Sequence, residues 1–243
     1  MPPHFNFPQL KMLKLRLIEI LLFSLLSSLA FSQSKDSVRR DTITIKDYIP
    51  TGIRIGTDLI SLIKSQYQKD FSGWEVNADI DFRRYYLALD YGSWSRTFNS
   101  DSANNYFNDG TYWRAGVDVN FLLKDLDRNM FFVGARYGRA NFSEDLTIYA
   151  YNEFTKTYEY LNYAHSGINA RWFELTTGIR VKMWKAIWMG YTARFKFGLK
   201  HDETEHIIPS DVPGYGRTNK GSYWGFNYQI FIRITVRKVA TAK

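Results

Sequence analysis

The sequence predicts an all-β fold: an eight-stranded antiparallel up-and-down transmembrane β-barrel with an N-terminal signal peptide. Three observations carry this. Runs of about ten residues alternate strictly between apolar and polar positions, the period-two signature of strands. The connections between runs alternate long and short, as in barrels with short periplasmic turns and long extracellular loops. The chain is also polar on average, with a mean hydropathy of −0.34, yet it holds 7 Trp, 17 Tyr and 18 Phe. A barrel can be both, because it shows lipid only one face of each strand.

The clearest runs are RWFELTTGIRVK (171–182) and IWMGYTARFKFG (187–198), joined by MWKA. Phe173, Leu175, Thr177, Ile179 and Val181 fall on one face of the first, and Trp172, Glu174, Thr176, Gly178 and Arg180 on the other. In the second, Ile187, Met189, Tyr191, Ala193, Phe195 and Phe197 oppose Trp188, Gly190, Thr192, Arg194 and Lys196. Each run has roughly the 9–11 residues a tilted strand needs to cross a bilayer.

Upstream of any strand, Lys11 to Arg16 make a basic n-region, Leu17 to Leu29 an apolar h-region, and Ala30-Phe31-Ser32 a small-residue cleavage site. The apolar run falls short of the ~20 residues of a spanning helix. Residues 1–32 therefore read as a signal peptide, with 1–11 a candidate start-site overhang before Met12. Residues 33–50 read as a polar periplasmic lead-in, 51–236 as the barrel and 237–243 as a periplasmic tail.

The remaining strands follow in order at 51–61, 73–82, 85–94, 111–122 and 130–139, and the last at 222–235. The long connections are 62–72, 95–110, 140–170 and 199–221. The short ones are Arg83-Arg84, 123–129 and 183–186. Within the longest, Leu146–Tyr151 and Thr155–Leu161 have the texture of a projecting hairpin. An even strand count puts both ends of the barrel on the same side.

Glycine decides which face is inside. Gly52, Gly56, Gly92, Gly116, Gly134, Gly138, Gly178, Gly190, Gly198 and Gly225 all fall on the polar face. Repeated Gly weakens a strand facing water, but in a narrow interior it makes room for large neighbours. The same face carries Asp58, Glu75, Asp79, Asp81, Asp90, Asp118 and Glu174 against Arg54, Arg114, Arg136, Arg180, Arg194, Lys196 and Arg233. A lumen eight strands wide is about filled by its own side chains, and unpaired buried charge costs several kcal/mol. These fourteen residues are therefore expected to plug the lumen as a network of ion pairs. Tryptophans cluster near strand ends, as in interfacial belts, although alternation turns Trp94, Trp172 and Trp188 inward.

Composition and motifs narrow the function. There are no cysteines, so disulfides, thiolate metal sites and a lipidated Cys are excluded. The formal charge is +8, but the basic residues are interleaved with acids inside strands rather than clustered, against nucleic-acid binding. His165-Ser166 lie adjacent in an extended loop, where neighbouring side chains point apart, so their adjacency is no evidence of a dyad. His201, Asp202, Glu203, Glu205 and His206 read as a solvated charged loop, with a loop metal site the sharper alternative. No phosphate-cradling glycine loop of known spacing occurs. No cofactor, metal or catalytic set is expected.

GIRIGTDL (52–59), GTYWRAGVDVN (110–120), FVGARYG (132–138), the hairpin at 172–196 and VPGYG followed by WGFNY (212–228) resemble an uncharacterised Bacteroidota family of exported proteins. More distantly the chain is similar to PorT-like barrels, some of which assist type IX secretion. The resemblance implies an outer-membrane barrel and transfers no catalytic residues. The chain departs from the usual pattern by ending on VRKVATAK (236–243) rather than an aromatic, with Phe231 the nearest stand-in for the C-terminal assembly signal. The function expected is that of a small closed outer-membrane barrel with a structural or accessory envelope role. Its partners would be outer-membrane lipid, the barrel-assembly machinery, and other envelope or secretion proteins. A narrow pore, a lipid-modifying barrel enzyme and a soluble exported ligand-binding barrel are the alternatives.

Overall fold

The structure is a computed structural model that describes residues 49–99, 104–123, 125, 127–202 and 209–237. The expected signal peptide, nearly all of the lead-in, and the tail beyond Arg237 lie outside these residues.

Eight strands close into one antiparallel barrel. They are β1 (Gly52–Asp58), β2 (Phe71–Phe82), β3 (Tyr85–Asn99), β4 (Asn105–Asn120), β5 (Met130–Asn152), β6 (Thr157–Trp184) and β7 (Ile187–His201), with the last, Ser222–Thr235, closing on β1. Between β7 and that last strand, β8 (Asp211–Val212) and β9 (Gly216–Arg217) pair as a separate small hairpin, so the closing strand is β10. Closure runs from Gly52 opposite Thr235 to Asp58 opposite Gln229. The rim where β1 starts and β10 ends is called the lower rim, and the opposite one the upper rim.

Alternation places the faces as their chemistry dictates. Along β6 the outward Leu175 is 52% exposed, whereas its neighbour Glu174 is 1% exposed. The apolar set of every barrel strand points out and the charged set points in. Some inner glycines are required by close approach. A Cβ on Gly134 would collide with Asp118 Oδ1, and one on Gly138 with the Trp172 ring. Gly198 differs from its expected lumen role. It is exposed with φ +66°, at a bulge where β6 and β7 shift register beside Phe173.

Several boundaries differ from the sequence expectation. The first strand stops at Asp58 instead of running to 61, because α1 (Leu59–Tyr67) begins there. The Asp58 side chain caps it, accepting from Ile60 N at 3.3 Å and Ser61 N at 3.2 Å. These bonds satisfy two of the orphan donors of a helix N-terminus. The long connection at 140–170 is not a loop. β5 and β6 run through it as strands of 23 and 28 residues and stand clear of their neighbours as a two-stranded hairpin. β4 accompanies β5 only as far as Thr147, and β7 leaves β6 at Ala170. β3 likewise runs on to Asn99 and β4 starts at Asn105.

Candidate functional site: the packed lumen and its mouth

The inward side chains form a column from the lower rim to the upper. At the bottom, Asp81 accepts from Thr51 N at 2.5 Å, Gly52 N at 2.9 Å and Arg233 Nη2 at 2.7 Å. Higher, Asp79 is held between Arg54 Nε at 2.8 Å and Arg180 Nη1 at 2.5 Å. Asp118 takes Arg180 Nη2 at 3.4 Å and Arg136 Nη2 at 2.8 Å. Arg136 also donates to Asp90, which in turn meets Arg194 Nη2 at 3.1 Å and Arg114 Nε at 3.4 Å. At the top of the column Arg114 donates to Glu75, and Arg194 Nη1 donates to Glu174 at 3.0 Å. Every carboxylate in the central stretch bridges at least two guanidiniums.

Neutral groups complete this packing. Tyr112 OH donates to Glu75 at 2.7 Å, Trp172 Nε1 to Glu174 at 2.8 Å, and Asn77 Nδ2 to Asp90 at 2.7 Å. Aromatic rings cover the guanidinium faces: Arg54 lies 4.7 Å over Tyr86, and Arg180 lies 4.9 Å over both Phe132 and Phe231. Such contacts strengthen where water is excluded. Phe231 is thus buried against Arg180 and turned away from the outer surface.

Two of the fourteen expected network residues do other work. Asp58 has no cation partner among the described residues. It caps α1 and accepts from Tyr228 N at 3.0 Å. Lys196 likewise pairs with no carboxylate there; its Nζ donates to Gly214 O at 2.7 Å and Tyr215 O at 2.9 Å. The other twelve, Arg54, Glu75, Asp79, Asp81, Asp90, Arg114, Asp118, Arg136, Glu174, Arg180, Arg194 and Arg233, each make at least one ion pair.

Lys196 thereby ties down a plug that strand periodicity does not reveal. In the turn of the β8–β9 hairpin, Tyr215 N donates to Val212 O at 3.0 Å, with Pro213 and Gly214 between them and Gly214 at φ +81°. This is the Pro-Gly arrangement of a type II turn. Val212 and Tyr215 are fully buried, packed with Tyr112, Phe142, Ile168 and Trp172 across the upper mouth. Asp211 anchors the other side of the hairpin through Arg96 Nη1 at 2.9 Å and Asn108 Nδ2, which donates to the Asp211 carbonyl at 2.6 Å. Burial pushes the Asp211 carboxyl above its ordinary range, and Arg96 offsets part of that. Glu144, below the projecting hairpin, is raised by burial too and accepts from Tyr106 OH at 2.8 Å.

The histidines fall as follows. His165 lies opposite Glu144 across the hairpin and is partly buried, while Ser166 points out to solvent. The two do not converge. His201 Nδ1 lies 2.9 Å from the Asp202 carbonyl, and Asp202 Oδ2 accepts from Asn169 N at 3.0 Å. Glu203, Glu205 and His206 lie outside the described residues. Among those described, no three metal-ligating side chains gather.

The arrangement defines a class: closed eight-stranded barrels with apolar outsides and lumens filled by balanced charge. The chain belongs to the DUF6048 family, a domain of unknown function, whose model matches residues 12–239. No curated protein matches it in sequence. Among solved structures it is similar to CarO2 of Acinetobacter baumannii, at 12% identity and a TM-score of 0.40, covering 76% of this chain and 99% of that one. CarO of the same organism gives 10% identity and a TM-score of 0.36 over 77% and 98%. Ail, the attachment invasion locus protein of Yersinia pestis, solved with the heparin analogue sucrose octasulfate, gives 6% and 0.36 over 76% and 98%. Likeness of this degree says nothing about binding or activity.

Proposed function

We propose that this protein is an outer-membrane β-barrel with a closed lumen and a structural or accessory role in the envelope. The observation that carries the reading is the outward belt. Ile55, Leu87, Leu89, Phe173, Leu175, Ile179 and Ile232 are all 46–60% exposed on one continuous surface. A soluble monomer rarely shows so large an apolar patch, and a lipocalin-type barrel would turn this face inward. On β6 the belt runs from Phe173 to Met183, about 33 Å of strand at ~3.3 Å per residue. A tilt of about 40° makes that roughly the 25 Å of an outer-membrane hydrophobic band.

An aromatic girdle supports the same placement. Outward rings follow one another round the upper part of the barrel: Trp113–Tyr137 at 5.8 Å, Tyr137–Phe173 at 5.5 Å, Phe173–Phe197 at 6.3 Å and Phe195–Trp224 at 5.0 Å. Above it the outward residues turn polar, with Asp109, Arg139, Arg171 and Lys200. Long connections at the upper rim would then face the outside, and the chain ends the periplasm. On this reading the partners are outer-membrane lipid, the machinery that inserts barrels, and envelope or secretion proteins met by the projecting hairpin or the periplasmic ends. Kinship with Bacteroidota and PorT-like barrels belongs to the same proposal.

Fractionation with heat-modifiable gel migration tests it. The protein is expected in the outer-membrane fraction and to run faster unboiled than boiled. Recovery in the soluble fraction without detergent refutes the placement. Stable single-channel steps in planar bilayers refute the closed lumen.

A further inference from the structure

We propose that a basic cleft beside the plug binds a saccharide carrying phosphate or sulfate groups, a site that goes beyond the closed-barrel reading. The cleft holds about 610 Å³ between α1, the upper end of β3, β9 and the start of β10. Four cations from three parts of the chain converge on it, Lys64, Arg96 and the pair Arg217 and Lys220, against one acid, Asp70. Among the described residues, Lys64, Arg217 and Lys220 have no carboxylate within ion-pair distance, and Arg96 uses Nη1 on Asp211 at 2.9 Å. In the lumen twelve of the fourteen charges have an opposite one beside them. Here the excess is uncompensated.

Two of the cations are held together. Arg217 lies 5.3 Å and Arg96 5.6 Å from the centre of the same ring, Phe98. The ring offsets part of the repulsion between two guanidiniums, and an anion bridging them would offset the rest. Guanidinium forks match the oxygen geometry of phosphate and sulfate, and lysines add charge without directional demand. Tyr223, whose ring turns inward beside Lys196 and Gly216, gives the cleft an aromatic wall on the β10 side, and Trp224 of the outward girdle, 58% exposed, borders it. Such a wall takes the C–H face of a sugar ring while the anionic substituents reach the cations. A concave site with a few convergent polar groups and aromatic sides differs from a merely solvated basic face.

The same chemistry has two sources. One is the phosphorylated headgroup of an outer-leaflet glycolipid, which Trp224 in the girdle would adjoin. The other is a soluble anionic glycan from outside the cell. The test uses the full chain refolded in detergent micelles, with unboiled gel migration as the check on folding. Binding is measured by calorimetry to a dextran sulfate oligosaccharide and, in nanodiscs, to phosphatidylcholine with and without diphosphorylated lipid A. Wild type is expected to bind at least one probe, more weakly as salt rises, and to ignore neutral dextran. R217S/K220S, outside the barrel wall, should weaken binding by about tenfold or more. R139S/K200S, on another part of the upper rim, should leave it unchanged. Binding to lipid A alone identifies the headgroup, and binding to dextran sulfate alone identifies a free glycan. The proposal is overturned if neither probe binds, or if R217S/K220S binds within about twofold of wild type. The dextran sulfate arm does not depend on membrane placement, so its failure is separable from failure of the fractionation test.

Discussion

Asp90→Asn is the sharpest probe of the lumen, because it removes one charge without removing volume. Asp90 Oδ2 meets Arg194 Nη2 at 3.1 Å and Arg114 Nε at 3.4 Å and also accepts from Arg136, while Oδ1 accepts from Asn77 Nδ2 at 2.7 Å. An asparagine must turn its amide either toward guanidiniums or toward the Asn77 amide, and both are donors. The variant leaves one positive charge uncompensated among three buried arginines and adds a donor–donor clash. Removing one partner of a buried ion pair costs about 3–5 kcal/mol, and that is the loss expected here. The assay is urea unfolding of the refolded protein in micelles, read by tryptophan fluorescence and by the unboiled gel band. The charge-balanced double variant D90N/R136Q should recover about 1–3 kcal/mol, the size of a coupling between contacting residues. A D90N protein within about 0.5 kcal/mol of wild type refutes the reasoning. So does a double variant no more stable than the sum of its singles.

Two further outcomes follow from the same geometry. Leu175→Arg, in the middle of the outward belt, should cost about 2–4 kcal/mol of barrel stability. Tyr158→Arg on the projecting hairpin, 63% exposed, should stay within about 0.5 kcal/mol; equal effects at the two positions in the same unfolding assay would show that the belt does not meet lipid. Lys196→Met deletes the donor to Gly214 O and Tyr215 O. Hydrogen bonds to charged groups are worth about 1.5–3 kcal/mol each, so trypsin should cut at Arg217 or Lys220 roughly ten times faster or more. The barrel itself should still resist unfolding, and an unchanged digestion rate would mean that the plug is held by other contacts.

The barrel was legible because its signal is local. Alternation along each run assigns every side chain to a face, and Glu174 and Leu175 behave in space as they read in sequence. The partners inside the lumen were not legible. Arg180 reaches Asp79 across 101 residues and Arg194 reaches Asp90 across 104, which no pattern within a strand reveals. Asp58 and Lys196 show the limit most plainly, since each lies on the charged face yet ends opposite backbone groups. The signals that could have separated them were present. Asp58 stands before LISLIKSQY as a helix N-cap does, and Pro213-Gly214 marks a tight turn. The continuous lengths of β5 and β6 were half visible, because the two hairpin halves were seen but not the bulge at Phe142–Glu144 that joins them to the barrel.

The closing seam between β1 and β10 joins groups that enter at opposite ends of the barrel sequence. Arg233 enters on the last strand and its acid, Asp81, on the second, while Asp58 at the end of the first strand receives Tyr228 N from the last. Until the seam forms, the chain carries arginines and carboxylates whose partners are not yet beside them. A slip of one residue in any strand would turn its charges toward the apolar outer face and its leucines toward the lumen. Neutralisation of Arg233 and Asp81 therefore waits on ring closure, and a half-assembled sheet still carries unmatched charges.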